Sequence, residues 1–299
     1  MNAETLARVN YIKLNYAYEL LSKADLLDNI IIKGAPLSKI IYGKEEARVS
    51  SDIDFLVPKN QIGITTVLME KAGFMQQSSN RVDQLITMML SHQTLPWIMK
   101  NDYFGNITVD LNYDLYWGEF TKKRIDVEEF ISDYIIVDIC GKAVKTLPPE
   151  KALIQLLLHH YKDMNSIFLL ATRNSIRYDM LRDVYYLLIN NLNAIPLNEF
   201  YSTSNKYEII PYVFYVLYYT GKVFDDDVLR RYIDAFRTPE GEALLNCYGL
   251  CSKERKEWKF DFKTRLESEN LYDLIKSDLT ESDKGKIAIN RRVFLGVKE

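Results

Sequence analysis

Ile30-Ile31-Ile32-Lys33-Gly34-Ala35-Pro36-Leu37-Ser38 and, one polar loop later, Asp52-Ile53-Asp54-Phe55-Leu56-Val57 decide how this chain reads. An apolar run enters a glycine turn, a short helical stretch follows, and a second apolar run carries two carboxylates on alternate residues. In a strand, positions i and i+2 point to the same face. Asp52 and Asp54 are therefore expected side by side, with Ile53, Phe55 and Val57 turned into a core. Two carboxylates aimed at one place repel each other, and a cation between them removes that cost. Hard oxygen ligands favour Mg²⁺, which keeps several waters and binds through one or two carboxylates plus substrate phosphates. The pair reads as the metal half of a phosphoryl- or nucleotidyl-transfer site. The bland alternative is a strand edge with two solvated acids. The upstream glycine turn, the Arg48-Val49-Ser50-Ser51 lead-in and the apolar opposite face speak against it.

Working outward, residues 4–26 carry Leu6, Val9, Ile12, Tyr16, Leu20 and Leu21 at helical spacing. A strand over 29–33, a helix over 36–42, a polar loop over 44–51 and a strand over 52–57, stopped by Pro58, follow. Residues 60–73 suit a second helix, and 81–91 admit one. The stretches 94–100 and 106–115 flank Asn101-Asp102-Tyr103-Phe104-Gly105 and read as a hairpin, with Pro96 weakening its first arm. In the second arm Thr108, Asp110, Asn112 and Asp114 share one face, and Ile107, Val109, Leu111 and Tyr113 the other. A β-rich run at 134–139, a turn at Gly141 and Val144-Lys145-Thr146-Leu147 complete this half. Pro148-Pro149-Glu150 marks a boundary, since Pro149 suits a first helical turn.

Beyond it the pattern is helical, over 150–163, 176–191, 207–219, 225–237 and 240–248. The apolar, Tyr-rich stretch at 208–220 reads as a buried helix. Residues 252–299 are charged and weakly periodic, with one helix over 270–278 and the remainder peripheral. The expected architecture is α+β: a small mixed sheet with helices over 1–147, then an all-helical domain over 148–299 with a charged C-terminal segment.

The balance of 47% hydrophobic and 26% charged residues over 299 positions is that of a globular protein. A net charge of −3 supplies no general basic field for nucleic acid. Three cysteines, Cys140, Cys247 and Cys251, form no CxxC pair, which argues against a disulfide framework or a zinc site. The N-terminus lacks a signal-peptide pattern, and no apolar stretch reaches the length of a membrane span, so a cytoplasmic location and no membrane partner are expected.

The string K-G-A-P-L-S…Y-G…R-V-S-S-D-I-D-F-L-V resembles the DNA-polymerase-β-like nucleotidyltransferase superfamily, and within it the branch described as an uncharacterised nucleotidyltransferase family. The resemblance spans residues 25–190, with its sharp motifs at 33–57 and 107–116. It implies an NTP donor such as ATP, bound in the cleft between the two halves. It also implies two Mg²⁺ ions, with Mn²⁺ as the alternative, held by Asp52, Asp54 and Asp110, and transfer of a nucleoside monophosphate with release of pyrophosphate. Asp110, in Val109-Asp110-Leu111, matches the third carboxylate, which can accept the proton of an attacking hydroxyl. Asp114 on the same face is the fallback.

Gly34 and Ser38 would shape the phosphate cradle. Ala35-Pro36 departs from the commonest superfamily pattern, and Pro36 removes one amide donor. Lys33 is a phosphate contact or simply a strand end. Arg48 matches the Arg of R-x-S-x-D-I-D, with a solvated loop arginine as the alternative.

Lys162 resembles the family's lysine at the end of its helix, where a cation could meet the triphosphate; a snorkelling surface lysine is the other reading. Adjacent His159 and His160 do not share a helix face, so the i,i+4 zinc arrangement is absent and His160 reads as a core residue. Arg173, Arg177 and Arg182 could line the same cleft, although Asp179 and Asp183 suggest internal pairs. There is no GxxxxGK[ST], GxGxxG or GxSxG string. The expected acceptor is a hydroxyl or phosphate of a small molecule or peptide. The alternatives are a toxin-type enzyme acting on RNA or protein, and a non-catalytic nucleotide-binding scaffold.

Overall fold

The computed structural model describes residues 3–48, 50, 52–78, 80–103, 105–115 and 125–295. Val49 and Ser51 of the lead-in, Phe104 of the hairpin turn, residue 116 at the end of the second motif and the last four residues lie outside the described residues. The chain divides into two compact units: residues up to 115 with 125–152, and residues from 153 onward.

The first unit runs α1 (Ala3–Lys23), β1 (Ile30–Ile31), α2 (Ala35–Tyr42), β2 (Asp52–Leu56), α3 (Ile62–Lys71), β3 (Met75–Gln76), α4 (Arg81–Ser91), β4 (Trp97–Met99), β5 (Ile107–Asn112), α5 (Val127–Phe130), β6 (Ile135–Ile139) and β7 (Lys142–Thr146). Five strands form one mixed sheet in the order β1-β2-β5-β4-β3. Its centre is the parallel pair β2–β5, and the other pairings are antiparallel. Parallel strands need a long crossover, here everything from α3 to β4.

The apolar faces of β2 and β5 close over α1. Ile53, Phe55, Val57, Val109 and Leu111 pack in one cluster with Ala17, Tyr18 and Leu21. Burial alternates strictly along β5, as the period-two reading of that arm requires.

Several boundaries differ from the sequence reading, for local reasons. α1 stops at Lys23 because Asp25 adopts a left-handed conformation and a 3₁₀ turn follows. α4 is a full helix, started by the Asn80 side chain accepting from Val82 N. The 94–115 hairpin forms, but with Pro96 before it β4 keeps only three residues. β6 and β7 make a two-residue hairpin in which Cys140 and Gly141 both take positive φ, as a turn matched to strand twist demands. Thr146 Oγ1 of β7 donates to Ile31 O at 2.6 Å, fastening this hairpin to the first strand.

The dividing point between the units falls within α6 (Pro149–Asn165). The second unit continues with α7 (Ile167–Thr172), α8 (Tyr178–Asn190), α9 (Leu197–Lys206), α10 (Ile210–Gly221), α11 (Asp227–Phe236), α12 (Pro239–Leu244), β8 (Cys247–Tyr248), β9 (Lys256–Glu257), α13 (Phe262–Glu267), α14 (Leu271–Ile275) and α15 (Glu281–Leu295). As the sequence suggested, α10 is buried: Val213, Phe214, Tyr215, Val216 and Leu217 are all fully enclosed.

The expectation of a peripheral C-terminal segment is wrong. Leu271, Ile275, Ile287 and Val293 are buried. Arg265 is also buried, its guanidinium over the rings of Trp258, Tyr219 and Phe262 and its Nη2 donating to Tyr219 Oη at 3.0 Å. An arginine stacked among aromatics counts as core, and hydropathy cannot register that. Among the described residues no helix is long and apolar enough to cross a membrane.

Candidate active site

The parallel register sets Asp54 opposite Asp110 and Asp52 opposite Thr108. Neighbouring strands lie about 4.8 Å apart, so Asp52, Asp54 and Asp110 share one small stretch of sheet surface. Asp54 is almost fully buried, and Asp52 is half-buried. Like charges set directly opposite each other on a sheet are destabilising.

Asp54 and Asp52 are each oriented by neighbours. The N–H of Ile32 donates to Asp54 O at 2.9 Å, extending the β1–β2 pairing by one residue. That bond sets Lys33 beside Asp54, and its Nζ lies 3.0 Å from Asp54 Oδ1 with both side chains largely buried. Asn112 Nδ2 donates to the same oxygen at 3.3 Å and to Phe55 O at 3.2 Å. Ser50 Oγ donates to Asp52 O at 2.8 Å and lies 3.1 Å from Asp52 Oδ1.

Gly34 sits at the entry of α2 with φ +67°, a conformation side chains rarely adopt. Its turn leads the chain directly past the backbone of Asp52. The amides of Ala35 and Leu37 in the first turn of α2 lie outside the helical ladder, and Pro36 between them offers none.

Ser38 does something other than the expected phosphate contact. It is fully buried, donates to Lys44 O at 2.7 Å and accepts from Arg48 N at 3.0 Å. Its hydroxyl latches the 44–48 loop to α2. Arg48 is thereby brought to a cavity of about 250 Å³ beside Asp52, which Leu14, Tyr18, Gly34 and Ile107 also line. Lys33, for which the sequence offered a phosphate or a strand end, is found in the ion pair with Asp54.

The two candidates for a third carboxylate separate clearly. Asp110 lies opposite Asp54 within the paired part of β5. Asp114 lies beyond the end of that strand, where Oδ2 is 3.4 Å from Nδ1 of buried His92 and Oδ1 accepts from Leu115 N at 2.8 Å. Lys162 lies in the second unit, buried on α6, with Nζ 3.2 Å from His159 Nδ1 and 3.2 Å from Asp163 Oδ1. Arg177 pairs with Asp179 and Arg182 with Asp183, the internal pairing the sequence suggested.

For a divalent ion, the donor set of the sheet face is all oxygen, which suits Mg²⁺. The three carboxylates are not drawn together as a closed cage. Among the described residues the one group of three side chains whose ligand atoms all lie within 4.8 Å of one another is His159, His160 and Asp163. Mg²⁺ sites completed by substrate phosphates do not need a preformed cage, so the sheet face fits such an ion in charge and donor type.

Asn112 and the Lys33–Asp54 pair are the contributions that residue patterning missed. The only signal for Asn112 was its place on the face of Asp110, two residues further on.

A sheet of this topology carrying paired acids beside a glycine turn defines the class: a nucleotidyltransferase-like α+β domain, joined in this chain to a helical region. A family model described as uncharacterised nucleotidyltransferase matches residues 7–225, and the chain belongs to that family. Comparison with the curated proteins and with the solved structures gave no match.

Proposed function

We propose that this protein transfers a nucleoside monophosphate from an NTP to a hydroxyl or phosphate oxygen of a small-molecule or peptide acceptor, releasing pyrophosphate. The observation that carries the reading is the opposition of Asp54 and Asp110 on adjacent parallel strands, with Asp52 on the same face and the Gly34 turn alongside. Membership of the nucleotidyltransferase family supports it independently.

In this reading Asp52, Asp54 and Asp110 hold Mg²⁺, or Mn²⁺ in its place. The ions would supply charge neutralisation for the phosphates and the developing pyrophosphate. Lys33 and Asn112 fix the Asp54 carboxylate, and Ser50 fixes Asp52, so the oxygens need little rearrangement when phosphates arrive. The first turn of α2 and Arg48 face the phosphate chain. An acceptor oxygen forms a bond to the α-phosphorus as the bond from that phosphorus to the bridging β-oxygen breaks. Pyrophosphate takes that electron pair, and where the acceptor is a hydroxyl Asp110 takes its proton. The cavity beside Asp52, about 250 Å³ and walled in part by Leu14, Tyr18 and Ile107, is of a size for a small group and favours a small acceptor over a duplex or a folded protein.

The test uses NTPs labelled on the α-phosphate, Mg²⁺ and the small-molecule fraction of a cell extract. Label appearing in a small molecule with an equal amount of pyrophosphate, and absent with Asp54→Asn, is the expected result. Label appearing in added RNA or protein moves the acceptor to the toxin-type reading. NTP binding without pyrophosphate release, under every acceptor supplied, would make the protein a scaffold and overturn the proposal.

A further inference from the structure

The second unit contains a charged cluster that the transfer reaction does not use. On α6, Asp163 follows His159 by four residues and His160 by three, and both spacings bring side chains together on a helix. Adjacent histidines point in different directions, but Asp163 is one turn on from both and gives them a common neighbour. The rings of His159 and His160 are 5.8 Å apart between centroids and tilted by 51°. The ligand atoms of the three residues all lie within 4.8 Å of one another. His160 is buried, and the other two are half-buried, so the cluster is accessible from one side.

We propose that His159, His160 and Asp163 form a binding site for a late first-row divalent cation of the Zn²⁺ type. His159 Nε2 and Asp163 Oδ2 are 3.3 Å apart. Two donors each about 2.0–2.1 Å from zinc at the tetrahedral angle are separated by roughly that distance. Two imidazoles and one carboxylate suit zinc and its neighbours, whereas Mg²⁺ prefers oxygen donors alone. Three protein ligands leave the fourth position to water or an incoming ligand. The site is distinct in donor type from the carboxylate face of the sheet, and its existence does not depend on nucleotidyl transfer.

Lys162 sharpens the inference. Its ammonium lies 3.2 Å from both His159 Nδ1 and Asp163 Oδ1, so it competes for the charge of the same carboxylate. A metal ion on His159 Nε2 leaves the neutral ring's proton on Nδ1, which then faces the Lys162 ammonium as donor against donor, so that contact must break. The site therefore has two states, one held by the lysine and one held by the metal, and removing the lysine favours the second.

The experiment is a Zn²⁺ titration of the metal-free full chain at neutral pH, read by calorimetry and by competition with a chromogenic chelator, with circular dichroism confirming that each variant is folded. The expected result is one Zn²⁺ per chain, retained by Asp54→Asn and by a Cys247→Ser/Cys251→Ser variant. Affinity should fall at least about tenfold in both Asp163→Asn and His159→Gln, the lower end of what losing even an outer contact to a metal site costs. Lys162→Met should bind Zn²⁺ more tightly than the wild type. Absence of binding, or binding unchanged in both Asp163→Asn and His159→Gln, overturns the site. Weaker binding in Lys162→Met overturns the two-state competition.

Discussion

The face of β2 and β5 and the last turns of α6 both hold charged side chains against a buried layer, but they balance that charge differently. On the sheet, Asp54 and Asp110 are opposed like charges, Asp52 adds a third, and Lys33 pairs with Asp54. On α6, Asp163 is flanked by a lysine and a histidine within 3.3 Å, so opposite charges and hydrogen-bonding groups already face one another. On the proposed reading, an incoming cation would relieve the repulsion between the opposed acids of the first arrangement. The second is balanced as it stands, and a cation there must replace a group already present. A strand pair can create the first situation because its register is imposed by the apolar faces behind it, whatever the acids in front cost.

That contrast can be broken most forcefully at Asp54. Asp54→Asn should lower pyrophosphate release by at least about a hundredfold, the scale of losing one preorganised electrostatic contact in a transfer site. The amide keeps the shape of the carboxyl but gives up the Lys33 ion pair, so circular dichroism should show a native fold of reduced stability. Lys33→Met comes next. It leaves Asp54 buried against Asp110 with its counter-charge gone, and urea denaturation should show a loss of about 3 kcal/mol, the lower end of what breaking a buried pair costs. Asp110→Asn should do the reverse: without divalent cations the variant should be more stable than wild type by about 0.5 kcal/mol, since an opposed like charge is removed. A destabilised Asp110→Asn would mean that the sheet face is not under repulsion and would erase the difference between the two regions.

The smallest effect concerns acid. Asp283, on α15, is buried, which pushes its carboxyl up, but Lys256 at 2.9 Å and the Thr280 hydroxyl and amide outweigh this and hold it below the ordinary value of 3.8. Its folded pKa is depressed, so its stabilising contribution is complete above 3.8 and is lost as pH falls through the folded value. Asp283→Asn should therefore flatten the acid limb of the stability profile below 3.8.

Much of the sheet face could be read from residues alone, because period two survives any tertiary context. Ile53, Phe55 and Val57 had to go one way and Asp52 and Asp54 the other. The opposition of Asp54 and Asp110 could not be read, since β2 and β5 are adjacent in space across a crossover and no local rule sets their register. The Lys33–Asp54 pair was hidden for the same reason, its members 21 residues apart in sequence. Ser38 misled because a serine at a helix start has two uses, and only the position of Lys44 O and Arg48 N reveals the loop latch. In the helical unit the missed pieces depend on side chains that hydropathy scores as exposed, Arg265 among its aromatic rings above all.

The most direct test of the central claim is thermal unfolding with each of the four NTPs, with and without Mg²⁺, for wild type and the Asp52→Asn/Asp54→Asn variant. A ligand that binds only the native state must raise its stability. The sheet face as described predicts a Mg²⁺-dependent rise with at least one NTP, lost in the double variant. A rise that is equal with and without Mg²⁺, or one that survives in the double variant, would contradict it.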